Sequence, residues 1–188
     1  MGLENSSQPF LWILRPSDSL PAGFEDRVKG RGMCYSGWVP QTSILTHPAT
    51  GGFLSHCGWN STLESVSAGV PILGWSRGAD QHLICRFLVD TARVAMELQK
   101  DPPSENDVDN MVVNPMRHVT REEIAVKVRK LMREEEGSAV RARMASMRDA
   151  AAEATAAGGS SRRSLDAYVQ LLRLRCRRNS TAFDQHER

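Results

Sequence analysis

Short apolar runs alternate with amphipathic segments along the first hundred residues. Gln8–Arg15, Gly32–Gly37, the segment Gly51–Ser55, Val70–Trp75 and Arg93–Leu98 are four to eight residues long and bounded by Gly, Pro or polar residues. Runs of that length and framing predict buried strands of a parallel sheet. Between them, Gln41–Thr46 suits one or two helical turns stopped by Pro48. Asp80–Asp90 predicts a helix with Leu83, Phe87 and Leu88 inward. Pro16–Lys29 predicts a polar loop with at most a helical turn. Strands alternating with helices predict an α/β fold, a parallel sheet covered on both faces, with ligands at the carboxyl ends of the strands.

Residues 99–119 break the pattern with Pro102-Pro103, acids, amides and Pro115, and predict a surface loop. Thr120-Arg121-Glu122-Glu123 has the capping-box spacing S/T-x-x-E and opens a helix with Ile124, Val128, Leu131 and Met132 on one face, ending at Gly137. Ser138–Ala157 is Ala-rich and stopped by Gly158-Gly159. Ser161–Cys176 predicts a last amphipathic helix on Leu165, Tyr168, Val169 and Leu172. The expected organisation is one domain over 1–178 and a disordered tail over 179–188.

Composition narrows the class. A 40% apolar content supports a packed core, and a net charge of +2 gives no reason to expect nucleic acid or an acidic membrane as partner. Cys34, Cys57, Cys85 and Cys176 lack paired metal-ligand spacing, which fits reduced thiols in a cytoplasmic protein. No apolar run reaches the roughly 20 residues of a membrane span. Asp107-Val108-Asp109 has a D-x-D form that can hold a cation, but its Pro-flanked polar setting reads as solvated loop.

The densest chemistry lies in Ser55-His56-Cys57-Gly58-Trp59-Asn60-Ser61-Thr62-Leu63-Glu64. Here a strand end turns into a helix, with Gly58 free to make the turn. Ser61 and Glu64 are spaced as a capping box, Leu63, Val66 and Ser67 share a face, and Gly69 is placed to end the helix. A helix start beside small polar residues attracts phosphate, and His56, Asn60 and Ser61 are candidate extra donors.

These residues, with Trp38-Val39-Pro40-Gln41 before them and Asp80-Gln81 after, form a continuous segment from 38 to 81. It resembles the nucleotide-sugar signature of plant UDP-glycosyltransferases. The resemblance implies the Rossmann-like C-terminal domain of a GT-B enzyme. It assigns Trp38 to uracil stacking, Gln41 to the nucleoside, His56, Asn60 and Ser61 to the diphosphate, Glu64 to ribose, and Asp80 and Gln81 to the sugar. Gly58 and Trp59 supply shape and backbone N–H groups. Plainer readings stay open: a core tryptophan at 38, a capping amide at 41, a structural histidine at 56, caps at Ser61 and Glu64, an N-cap pair at 80–81. Gln81 resembles glucose users, although Ser76-Arg77-Gly78-Ala79 departs from the commoner Pro-containing form.

The resemblance further implies a metal-independent, inverting transfer from a UDP-sugar, without cofactor, to a small-molecule hydroxyl. It implies a monomer, and a general base in an N-terminal domain that this chain does not resemble, so no catalytic residue is assigned. Met1–Ser7 resembles the end of the helix after the domain's first strand. In the order 3-2-1-4-5-6 that strand is central, and its loss leaves unpaired edges on both neighbours. The chain alone is therefore expected to bind donor weakly and transfer little. The alternatives are a non-catalytic UDP-sugar-binding fragment and an interaction protein using the C-terminal helices.

Overall fold

The computed structural model of the chain describes residues 1–98 and 119–184. The Asp107-Val108-Asp109 motif and most of the expected loop lie outside the described residues. Contacts divide the chain into two compact units, Met1–Met147 and Arg148–Arg188, rather than one domain to 178. The division falls within one long helix.

The first unit runs α1 (Gly2–Ser6), β1 (Phe10–Leu14), α2 (Phe24–Val28), β2 (Gly32–Ser36), α3 (Gln41–Leu45), β3 (Phe53–Ser55), α4 (Trp59–Ala68), β4 (Ile72–Gly74), α5 (Gln81–Arg86), a π-helical turn (Phe87–Thr91), β5 (Ala95–Glu97), α6 (Arg121–Arg133) and α7 (Glu135–Thr155). The expected strands all form, mostly shorter than the apolar runs that encode them. Among the described residues all pairings are parallel, but there are two sheets: β1-β2 and β3-β4-β5. Without a strand in place 1 of the order 3-2-1-4-5-6, places 3-2 and 4-5-6 form separate sheets, as they do here.

The β3-β4-β5 sheet carries the core. Ile72 packs with Cys57, Cys85, Leu88, Val94, Ala95 and Met144 on one side; Leu73 packs with Met96, Leu98, Val119, Leu131 and Val140 on the other. Successive residues of a strand point to opposite faces, so the fully buried Ile72–Gly74 is covered on both, as its unbroken apolar sequence predicts.

The β1-β2 sheet departs from the expectation of two covered faces. Phe10 and Trp12 meet the Phe24 ring of α2 at centroid distances of 6.3 and 5.9 Å. On the opposite face Leu11 and Ile13 stand beside their register partners Met33 and Tyr35, and all four are exposed. Helix α2 covers one side of this small sheet. Near the strand entry, the Arg27 guanidinium and the N-terminal ammonium hold the Glu4 carboxyl down to about 2. The Arg129 and Arg133 guanidinium groups of α6 donate to the Asn5 carbonyl and the Gln8 amide oxygen, fastening α1 to α6.

Three helix expectations change. Over 80–91 the inward residues are Cys85 and Leu88, while Leu83 and Phe87 are exposed. Cys85 and Leu88, three residues apart, share the face that packs with Ile72, and the π-helical turn begins only at Phe87. α6 opens on the expected Thr120 capping box but ends at Arg133. Gly137 is a buried residue of α7, where a Cβ would strike the Lys130 and Leu131 carbonyls. The second unit holds the end of α7 and α8 (Ser160–Asp184). α8 extends over 179–184, where a disordered tail was expected, because neither Gly nor Pro interrupts 160–184. Among the described residues no helix is long and apolar enough to cross a membrane.

Candidate functional site

The candidate residues follow the carboxyl ends of β2, β3 and β4. Ser55 and Gly74 are register partners, and the Trp75 N–H donates to the Ser55 carbonyl at 2.7 Å. The turn after β3 and the loop after β4 therefore leave the sheet side by side.

The turn after β3 is built differently from its sequence reading. Cys57, not Gly58, takes the left-handed conformation (φ 65°), while Gly58 is extended (φ −63°, ψ 145°). The Ser55 hydroxyl accepts from the Cys57 N–H at 3.2 Å and holds the turn. Gly58 is required by close approach: a Cβ there would collide with Nε2 of His56. The imidazole thus lies over position 58 and faces solvent, while Cys57 is buried. His56, Gly58, Trp59, Asn60 and Ser61 line one open cavity of about 230 Å³.

α4 starts at Trp59, with Gly58 as N-cap and no side chain capping it. Ser61 is therefore inside the first turn and cannot cap, so the capping box of 61 and 64 does not form. The N–H groups of Trp59, Asn60 and Ser61 belong to the first turn, whose donors have no carbonyl partner within a helix. They stand at the cavity with the positive end of the helix dipole behind them. The buried residues of α4 are Thr62 and Ser65, while Leu63 and Ser67 are exposed. Gly69 ends α4 in the left-handed conformation, as expected.

Gln41 opens α3 and reaches across to α4. Its Nε2 donates to Glu64 Oε2 at 2.7 Å and to Ser61 Oγ at 3.2 Å. It caps nothing, and it leaves Glu64 Oε1 available to a ligand. Trp38, three residues earlier, is 85% exposed, so it is not a core tryptophan.

On the third loop, Asp80 is the N-cap of α5 by position, but its carboxylate makes no cap bond. Gln81 Oε1 accepts from the Arg77 N–H at 2.9 Å. Ser76, 2% exposed, pairs its hydroxyl with Nδ1 of His82 at 2.7 Å. Sequence reasoning did not find this pair, since it joins a loop residue to a helix residue and no single periodicity spans both.

The structure thus brings Gln41, Ser61 and Glu64 into direct contact and gathers His56, Gly58, Trp59, Asn60 and Ser61 around one cavity. Asp80 and Gln81 stand on the neighbouring loop, and Trp38 on the exit from β2. Behind the turn, the Cys57 and Cys85 sulfurs crowd against Gly74. The Cys57 sulfur and burial keep the Cys85 thiol well above the usual thiol range. Burial also raises the Glu97 carboxyl, against the lowering effect of Arg86 at 3.5 Å. Among the described residues no group of three or more His, Cys, Asp or Glu side chains is placed to hold a metal ion.

Comparison with known proteins gives this geometry a family. Residues 1–136 match the model of the UDP-glucoronosyl and UDP-glucosyl transferases. The isoflavone 7-O-glucosyltransferase 1 of Glycine max is 37% identical over 185 residues, covering 91% of this chain and 36% of that protein. The hydroquinone glucosyltransferase of Rauvolfia serpentina is 39% identical over 184 residues, with 88% and 36% covered. Among solved structures, Phytolacca americana UGT2 complexed with UDP-2fluoro-glucose and pterostilbene superposes with a TM-score of 0.78 at 37% identity, over 90% of this chain and 36% of that one. TcCGT1 in complex with UDP gives 0.74 at 36% identity, over 90% and 38%. The chain spans about a third of the length of the relatives it matches. At this identity and coverage, the chain belongs to the UDP-glucoronosyl and UDP-glucosyl transferase family, with plant glycosyltransferases among its relatives.

Proposed function

We propose that this chain is the donor-binding part of a UDP-sugar-dependent glycosyltransferase. The observation that carries the reading is the cavity at the uncapped start of α4, with an exposed imidazole over a glycine beside first-turn N–H groups. A diphosphate fits that donor set: the lining supplies N–H and O–H donors and no carboxylate. His56, Asn60, Ser61 and the helix start hold the diphosphate, Trp38 stacks on uracil, and Gln41 and Glu64 take the nucleoside and ribose. Asp80 and Gln81 take the sugar, glucose in our reading. The names of the relatives from Glycine max and Rauvolfia serpentina support glucosyl transfer, and UDP complexes of structural neighbours support the ligand.

The reaction is attack by a deprotonated acceptor hydroxyl on the anomeric carbon, with inversion. The bond to UDP breaks, and the negative charge that grows on the diphosphate is met by donors already aimed at it, a form of electrostatic stabilisation. Among the described residues none is assigned the role of general base. The Nδ1 of His47 accepts from the Ala49 N–H at 3.2 Å and serves its own turn. The chain binds donor as a cytosolic monomer and, without a base worth about 10²–10⁴-fold, turns over little.

Calorimetric titration with UDP and UDP-glucose tests the reading. Binding that weakens in His56→Ala supports it; folded protein that binds neither ligand refutes it. Robust transfer to a phenolic acceptor by these 188 residues would overturn the expected inactivity. A second reading rests on α8, where Leu165, Tyr168, Leu171, Leu172 and Leu174 are all exposed. Under it, the helix binds another protein, and the protein associates in solution without responding to UDP.

A further inference from the structure

The loop Ser76–Ala79, which presents Asp80 and Gln81, has no proline to stiffen it. It contains Gly78 at φ 158° and Ala79 at φ 52°. A left-handed alanine persists only where its surroundings impose it. Two hydrogen bonds do so. The Arg77 N–H donates to Gln81 Oε1 at 2.9 Å, and the Ser76 hydroxyl pairs with His82 Nδ1 at 2.7 Å. Ser76 is buried, so its hydroxyl requires a partner, and His82 supplies it from the first turn of α5, one residue beyond Gln81. The Arg77 guanidinium lies 5.7 Å from the Trp75 ring centroid, on the same loop.

We infer that His82, through Ser76, is the positioning residue that sets how Asp80 and Gln81 meet the donor sugar; the inference rests on the donor-binding reading above. The loop hydrogen bonds decide the chemistry of that edge. Gln81 has its carbonyl engaged and presents only amide N–H groups. Asp80 makes no cap bond and presents only acceptors. The pair recognises two hydroxyls in opposite senses, one accepting from Gln81 and one donating to Asp80. UDP alone has no group for this edge, so the loop governs the margin of UDP-glucose over UDP and leaves the affinity for UDP unchanged.

The test is calorimetry on the full chain with UDP and with UDP-glucose, for the parent, Ser76→Ala, His82→Asn and His82→Gln, each checked for cooperative melting. Asparagine can place a polar atom near the position of Nδ1, whereas glutamine reaches past it toward Nε2. The parent and His82→Asn are expected to bind UDP-glucose about three- to tenfold tighter than UDP, the range of one or two ordinary hydrogen bonds. In Ser76→Ala and His82→Gln that margin falls to about onefold, with UDP affinity constant. An equal margin in the Asn and Gln variants overturns the inference, as does parallel weakening of both ligands. Parent protein that binds UDP but not UDP-glucose more tightly overturns this inference alone. Parent protein that binds neither ligand overturns the donor reading, and this inference with it.

Discussion

Replacing Gly58 with alanine separates the site from the fold. The backbone at 58 is extended, at φ −63° and ψ 145°, so alanine enters without conformational strain. Its Cβ, however, would occupy the place of the His56 imidazole, which must swing away from the cavity. For the fold, alanine is a poorer N-cap than glycine by up to about 1 kcal/mol. Restriction of the unfolded chain offsets about 0.4–1 kcal/mol of that. The melting temperature should then move by less than about 4 °C. For binding, a hydrogen bond to a charged phosphate contributes about 1.5–3 kcal/mol. Its loss should weaken UDP by about tenfold to 150-fold. Titration calorimetry and thermal melting of Gly58→Ala, His56→Ala and the double variant read both quantities. With the imidazole gone, the added methyl has nothing to displace, so the double variant should bind no worse than His56→Ala. Unchanged affinity in Gly58→Ala refutes the argument, and so does an equal loss in the His56→Ala background.

Other substitutions test the core and its charges. Gly74→Ala drives a methyl into the Cys85 and Cys57 sulfurs and should cost about 1–3 kcal/mol of stability in urea unfolding; adding Cys85→Ala should restore part of the loss, and strict additivity would refute the contact. Glu97 has its carboxyl raised by burial, so its protonated form favours the folded state. That contribution is full below the unfolded value of 4.5 and is lost as pH rises through the folded value. Melting curves from pH 4.5 to 8 should fall more steeply for the parent than for Glu97→Gln, and parallel curves would contradict the assignment. Thr120→Ala removes a side-chain cap of α6 and should cost about 1 kcal/mol by denaturant unfolding.

The fold was legible where the signal is local and repeated. Apolar runs marked every strand, and Thr120 and Glu123 marked the start of α6. What escaped depends on partners far apart in sequence. The spacing of Ser61 and Glu64 fits a cap, but Gln41, twenty residues earlier, engages both and the helix begins at Trp59. Gly58 suggested a turn, whereas its smallness makes room for an imidazole and Cys57 bends the chain. Leu83 and Phe87 lie one helical turn apart, but the face that packs with Ile72 is the one carrying Cys85 and Leu88, and that choice depends on distant partners. Leu11 and Ile13 read as interior because their composition suits a central strand; which faces are covered depends on the elements that surround them. The candidate donor residues were legible as a motif, but the Ser76–His82 pair joins a loop residue to a helix residue and no single periodicity spans both.

Within the first unit, the candidate site is assembled from two sheets rather than one. The loop after β2 carries Trp38, while the loops after β3 and β4 carry His56 and the Asp80–Gln81 pair. No shared strand ladder joins these halves among the described residues, and near the site the Gln41 amide is the clasp between them. A nucleotide gripping indole and imidazole together would act as a second clasp, damping relative motion of the halves. Amide protons along β1 and β3 would then exchange more slowly once it is bound, although neither strand touches it.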